Sequence, residues 1–465
     1  MPSVIDLDLP DTSPPAAINR SCAIPVVAAA ALFCTWMMAP LSMAQNIDPE
    51  IVQGDRYLER ANTEIRNIDT AELERMIAEV PGLVIIDVRE AAEIAQTGGT
   101  IDAPRVHNVS RGWLEFRVPE RVPDRHTPIV TFCGLNLRSP LAARVLMDMG
   151  YTNVANYEDG FPAWAEAGLP VTTDTSPDGM LYTAPLRVTE NVWSAIGATA
   201  PPTYENSGHN NNLSFIITGE GVVVVNAGDN ALLAQSLHAE IRKLTDQPVK
   251  YVILENGQGH AMLGSSYWKA QSAKIVAHID TLHEIEENGH EILNRMRLGR
   301  RDKAFGTELA LPDITFEDEW VIELGGERIE ALYLGPAHSP GDISVWLPQQ
   351  KLVIAGDVAF HERLLPVMED TDTAGWIETW DAFVGLGADT VVPGHGGPTG
   401  YDEVTRYTRD YLVYMRERIR ALVEDGGTLQ DAYLVDQSPF SHLDTYFELK
   451  RQNAGTIFRE MEFDF

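Results

Sequence analysis

The chain has 465 residues, 44% of them hydrophobic, enough for two or three domains with cores of their own. The formal net charge is −33 and no long basic run appears, which argues against a nucleic-acid binder with a basic face and against charge-driven docking on anionic membranes. Of three cysteines, Cys22 and Cys34 fall in the leader described next, so the mature chain keeps Cys133 alone, a thiol without a partner.

Residues 1–20 are polar and acidic and end in Arg20; an apolar run follows from Cys22 to Met38, and Ser42-Met43-Ala44 offers a small-x-small cleavage site. This predicts a cleavable signal over residues 1–44, hence a periplasmic or secreted protein with no stable membrane insertion after cleavage. A membrane anchor is the alternative, but a run of about 17 residues, interrupted by Pro25 and followed by Pro40, is marginal for spanning.

From 57 to 172 short apolar strands alternate with helical stretches, the pattern of an α/β domain around a parallel sheet. Asp69 is placed to cap a helix starting at Thr70, with Glu72 at capping-box spacing. Leu83–Val88 is nearly continuous apolar sequence, as in a strand buried on both faces. A second strand, Ile129–Phe132, leads into Cys133, and a helix is expected from Ser139 to Met149. A cysteine between a buried strand and a helix N-terminus is chemically loaded. The loop Cys133-Gly134-Leu135-Asn136-Leu137-Arg138, closed by Ser139, can turn its amides inward and with the helix dipole stabilise a thiolate. Arg138 adds a fixed positive charge, and the expected product is a nucleophile of low pKa that holds a sulfane sulfur as a persulfide. A buried structural cysteine is the alternative.

Four pieces in this order resemble the rhodanese family: Ile86-Asp87-Val88-Arg89-Glu90, the stretch Gly99 to Gly112, Cys133-x4-Arg138-Ser139, and Tyr157 to Trp164. The resemblance spans about 57–172 and implies a single rhodanese domain with sulfur transfer through Cys133. Active members often carry glycine at the fourth loop position; here it is Asn136, which tolerates left-handed backbone geometry.

Residues 173–181 read as a linker, and a second domain follows at 182–400 with a helical extension at 401–465. Strands are expected at Leu213–Thr218, Val222–Asn226, Val249–Leu254, Lys274–His278, Arg328–Leu334, Ile343–Leu347, Leu352–Ala355 and Thr390–Val392, and one long helix over 402–425. His260, His338, Asp357 and His395 fall at strand ends among glycines, the residue types and spacing of a divalent metal site. His209 and His361 read as solvated or core, His278, His283 and His290 as surface, and the charged run Arg297–Lys303 as a solvated loop.

These segments resemble the metallo-β-lactamase superfamily, and the C-terminal helices resemble those of periplasmic members linked to sulfur oxidation or quinoproteins. The expected fold is therefore a rhodanese-like parallel sheet followed by an αββα sandwich with C-terminal helices. The family's first motif, His-x-His-x-Asp-His, stands here as Glu255-x-Gly257-x-Gly259-His260, and an expected Asp is Asn226. The resemblance thus implies a depleted site. His260, Asp357 and His395, with His338 nearby and Glu255 as a substitute oxygen ligand, are expected to hold one Zn or Fe ion or none.

Three functional readings follow. The first is an exported sulfurtransferase acting from Cys133 on thiosulfate, polysulfide or persulfide donors, or on a sulfur-carrier protein. The second is a mononuclear Zn- or Fe-dependent hydrolase of thioesters, lactams or similar small substrates, with the rhodanese domain accessory. The third is a non-enzymatic sulfur carrier. None involves nucleic acid.

Overall fold

The computed structural model describes residues 54–172 and 180–462; the expected signal at 1–44 and most of the linker at 173–181 lie outside the described residues. No helix among the described residues is long and apolar enough to cross a membrane.

The first domain is built on a five-stranded parallel sheet, in the order Arg66–Ile68, Val154–Tyr157, Ile129–Phe132, Val84–Asp87, Val106–Asn108. The two central strands, Val84–Asp87 and Ile129–Phe132, are buried at every position, which is why their sequences do not alternate. Each fully covered Val or Ile there contributes about 1.5–3 kcal/mol over an exposed one. Helices close both faces, giving one core around Leu73, Ile85, Val130 and Trp164 and another around Val84, Ile86, Leu114 and Leu146. Asp69 caps the Thr70–Glu79 helix through the Glu72 amide. The reciprocal half of the box does not form, because the Glu72 carboxylate is drawn to Arg66 and Arg75 instead.

The second domain stacks two sheets. One has seven strands, in the order Ile314–Phe316, Lys274–His278, Val249–Ile253, Val222–Val225, Leu213–Ile217, Val192–Ala195, Leu186–Arg187. The other has five: Glu319–Leu324, Glu327–Leu332, Ser344–Leu347, Leu352–Phe360, Thr390–His395. Val223, Ile253 and Val276 from the first meet Ile329, Val345 and Ile354 from the second in a shared core. The Ala231–Leu244 and Ile279–Arg300 helices cover the outer side of one sheet, and Thr373–Gly385, Arg409–Glu424 and Tyr446–Met461 cover the other. This is the expected αββα arrangement with C-terminal helices.

Three expected elements change. The long helix is two, Tyr401–Tyr407 and Arg409–Glu424, broken at Thr408. The Thr408 hydroxyl accepts from the Phe360 amide at 2.9 Å and reaches the Phe360 carbonyl at 3.3 Å, so it serves the sheet rather than continuing the helix. The strands carrying Asp357 and His395 run through these residues, to Phe360 and to His395, with irregular register between them. The domains meet where Trp113 stacks on Tyr204, ring centroids 5.0 Å apart, and Ala91 joins the core of the second domain.

Candidate functional site

The Ile129–Phe132 strand delivers Cys133 to the carboxyl edge of its sheet, and residues 134–138 turn the chain into the Ser139–Asp148 helix. Asn136 has φ 52, the left-handed region, and its Oδ1 accepts from Asn156 Nδ2 at 2.9 Å, so asparagine closes the loop where glycine would. Cys133 is only 1% exposed and packs among Val84, Ile86 and Ala142. Its sulfur nevertheless has polar company. The Ser139 hydroxyl donates to Sγ at 3.4 Å, and the amides of Ser139, Arg138 and Leu135 bond to it as well. Burial pushes the thiol up, but these hydrogen bonds outweigh it and hold the thiol below its ordinary value.

Arg138 does not sit on the sulfur. It forms a two-bond pair with Glu93, at 2.6 and 2.5 Å, and its charge reaches Cys133 only through space. Glu93 is available because it belongs to the capping box of the Ala91–Gln96 helix, which fixes its carboxylate beside the Glu90 amide. Thiolate stabilisation therefore comes from a hydroxyl and amides. Gly134 follows the thiol, while Leu135 and Leu137 stand out at 78% and 53% exposure as an apolar rim.

In the second domain the ligand atoms of His260, Asp357 and His395 lie within 4.8 Å of one another. Gly394 permits this approach, since a Cβ there would lie 2.4 Å from Asp357 Oδ1. His260 Nε2 is 3.1 Å from Glu255 Oε1 and 3.3 Å from Asp357 Oδ2. Burial alone would lower His260, but the charge and hydrogen bond of Asp357, aided by Glu255, raise it to about 10. Burial would likewise raise Asp357; the protonated His260 ring on its Oδ2 outweighs that and holds it well below the carboxylate range. His395 is pushed down to about 4 by burial and by Arg363. Glu255 rises through burial and the neighbouring Asp357 charge.

The tautomer of His395 decides what the cluster can hold. Its Nδ1 lies 2.5 Å from the Asn210 carbonyl, which can only accept, so Nδ1 carries the proton. Nε2 is then a bare lone pair facing Asp357 Oδ1 at 3.3 Å, acceptor against acceptor, and Asp357 Oδ1 has no hydrogen-bond partner. Glu255 Oε2 and His338 Nε2 are also buried without partners. Two imidazoles and a carboxylate in this pose, with the far nitrogen of one ring anchored on a carbonyl, fit a single divalent cation. His338 and Glu255 do not join the converging set. His338 is held off by Gln258, whose Nε2 donates to its Nδ1 at 2.8 Å, and burial lowers its pKa.

Several residues around this cluster carry no sequence signal. Asn256 Nδ2 bridges Asp342 and Asp357 at 3.0 and 3.3 Å. Burial and Asp357 raise Asp342 well above the carboxylate range. Glu284, raised to about 7 by burial and by Asp370, explains Gly257: a Cβ at that position would lie 2.6 Å from Glu284 Oε2. Asn226, which the sequence did single out as standing where the resemblance implies Asp, has φ 71 and accepts from the Glu255 amide at 3.1 Å, a backbone-fixing role.

The remaining histidines divide. His209 is core, pushed down to about 4 by burial, its Nδ1 accepting from the Tyr182 amide. His361 lies against Tyr407, while His283 and His290 are exposed. His278, expected at the surface, is buried because its Nδ1 caps the Ile279–Arg300 helix and its Nε2 bonds to the Glu317 carbonyl. The run Arg297–Lys303 is not a solvated loop: Arg300 is buried on Asp229 and Lys303 on the Tyr204 carbonyl and Ser207 hydroxyl.

Comparison with known proteins matches the Rhodanese-like domain over residues 69–167 and the Metallo-beta-lactamase superfamily over residues 259–395. A sulfurtransferase of Allochromatium vinosum is 33% identical over 115 residues, 25% of this chain and 99% of that protein. A linear primary-alkylsulfatase of a Pseudomonas species is 24% identical over 276 residues, 51% of this chain and 52% of the relative, so the chain spans about half the length of that enzyme. Among solved structures, a double mutant of the sec-alkyl sulfatase PisA1 superimposes with TM-score 0.50 and 19% identity over 60% of this chain and 50% of that one, a likeness of fold alone. The chain therefore belongs to the rhodanese-like family in its first domain, and residues 259–395 of its second match the metallo-β-lactamase superfamily.

Proposed function

We propose that this protein is a sulfurtransferase working through a persulfide on Cys133. The observation that carries the reading is the ring of donors on Sγ, from the Ser139 hydroxyl and three backbone amides, which favours a thiolate despite burial. The thiolate attacks the outer sulfur of thiosulfate; a sulfur–sulfur bond forms on Cys133 and sulfite leaves with the electron pair of the broken bond. An acceptor thiolate, or cyanide in an assay, then attacks the outer persulfide sulfur and releases the Cys133 thiolate. The amides that hold the thiolate also hold the persulfide anion. The apolar rim of Leu135 and Leu137 suits a small organic sulfur donor or the surface of a sulfur carrier. The leader at 1–44 supports placing this reaction in the periplasm. Thiosulfate:cyanide transfer by the purified protein, abolished in Cys133→Ser, is the test; full activity in that variant rules the reading out.

The bare His395 nitrogen facing Asp357 favours a second activity, metal-assisted hydrolysis of a thioester, lactam or sulfate ester. His260, Asp357 and His395 would hold one Zn or Fe, which when bound supplies Lewis-acid activation of water. The protein's own part is to fix the rings, through the Asn210 carbonyl and Glu255, and to keep the donors out of bulk water. Metal content of the protein purified without added metal, set against Asp357→Asn, tests this reading.

A further inference from the structure

The way to Cys133 lies across its own loop. Val84, Ile86 and Ala142 pack beneath the thiol. Behind it the Cys133 carbonyl accepts from the Phe161 amide at 3.0 Å, and Gly160 leaves no gap, since a Cβ there would lie 2.8 Å from the Gly134 carbonyl oxygen. The amides of Leu135 and Arg138 bond to Sγ directly, so a donor whose outer sulfur touches Sγ rests the remainder of its structure on residues 134–138. Gly134 offers no side chain. Asn136 is committed to Asn156, and Arg138 to Glu93 by two bonds. Leu135 and Leu137, both exposed, are the side chains of the loop left to meet the donor. Charge points the same way. Thiosulfate is a dianion, and a thiolate repels it unless a cation offsets the encounter. Around this edge of the sheet Arg89 is buried on Asp87 and Arg111 pairs with Glu115. Arg138 faces two carboxylates, Glu93 in contact and Glu90 through space, on a chain whose formal net charge is −33.

We propose that Leu135 and Leu137 set the donor specificity of Cys133, and that the donor is a singly charged organic molecule, a persulfide or thiosulfonate, whose apolar group lies on the two leucines. This rests on the sulfurtransferase reading and names the donor class for it. With a thiosulfonate, the Cys133 thiolate attacks the outer sulfur, a new sulfur–sulfur bond forms on Cys133, and a sulfinate leaves with the electron pair of the bond that breaks; with a persulfide the leaving group is a thiolate. Thiosulfate follows the same path, but it has no apolar group for Leu135 and Leu137 to hold and it brings a second negative charge to a loop whose own arginine is neutralised by Glu93.

The experiment compares kcat/KM for benzenethiosulfonate and for thiosulfate, with cyanide as acceptor, in the full chain and in Leu135→Ser/Leu137→Ser. Taking the ratio of the two donors within each protein cancels their intrinsic reactivities when the proteins are compared. Loss of the two leucine contacts is expected to lower the preference for benzenethiosulfonate by at least about 10-fold, through the aryl donor's own kcat/KM, with thiosulfate changed by less than about 3-fold. Leu137→Lys is expected to shift the preference in the same direction by raising kcat/KM for thiosulfate. An equal donor ratio in the wild type and the double variant overturns the assignment and leaves the sulfurtransferase reading standing; no persulfide on Cys133 from either donor, read by mass spectrometry, overturns both. Should the double variant fail to fold, the salt dependence of the wild type decides: a kcat/KM for thiosulfate that falls as salt is added shows a cation guiding the dianion and refutes the proposal, and one that holds or rises supports it.

Discussion

Ser139→Ala isolates the hydroxyl from the amides around Cys133. The side chain is buried and its hydroxyl donates to Sγ at 3.4 Å, while its carbonyl accepts from Thr131 and is untouched by the change. A hydrogen bond to a charged acceptor contributes about 1.5–3 kcal/mol, and one pKa unit corresponds to about 1.4 kcal/mol. A long bond to sulfur belongs at the low end, so the variant's thiol is expected to titrate about one unit higher than the wild type. Thiolate reactivity also rises with basicity, with a Brønsted slope of about 0.4–0.5. Below both pKa values the rate with a small disulfide therefore falls only about 3-fold to 4-fold, because fewer thiolates react but each is more nucleophilic. Above both values the variant is faster, by about 3-fold. The two pH profiles must cross. A stopped-flow series with a dipyridyl disulfide across the acid and alkaline limbs reads this directly. Superimposable profiles, or a uniform loss at every pH, would falsify the claim that the hydroxyl stabilises the thiolate.

Three further outcomes are expected. Asn136→Gly should preserve sulfur transfer, whereas Asn136→Val, forced into left-handed geometry, should lose about 1–2 kcal/mol in denaturant titration and most of its transfer rate. Lys303 is pushed down to about 8 by burial, with Arg117 adding repulsion, against an ordinary 10.5. The unfolded chain then binds more protons across that window, so this residue's penalty is fully present below about 8 and stability rises with pH toward 10.5, by up to about 3 kcal/mol; Lys303→Met should flatten that slope in urea melts, and an unchanged slope counts against it. In Asp357→Asn the rings of His260 and His395 lose their shared carboxylate, and retained metal, measured by plasma mass spectrometry, should drop from about one equivalent to below about a tenth; equal metal in both proteins would remove Asp357 from the ligand set.

The amino-acid sequence by itself determined the two architectures and the first reactive atom. Buried strands read as unbroken apolar runs at Val84–Asp87 and Ile129–Phe132, and the short loop that follows Cys133 leaves little freedom in where the thiol points. The sequence placed His260, Asp357 and His395 at strand ends, but only His395 ends one; His260 stands in the short Gly259–Met262 helix and Asp357 inside the Leu352–Phe360 strand, so their convergence came from the packing of the two sheets. Local spacing could not say that Arg138 turns to Glu93, that Gln258 holds His338 away, that Glu284 fills the room left by Gly257, or that Arg300 and Lys303 are buried. Those outcomes are competitions between partners distant in the chain, such as Arg300 with Asp229, and only the packed structure sets which charge is nearest to which. The tautomer of His395 follows from one carbonyl at Asn210, 185 residues away in sequence.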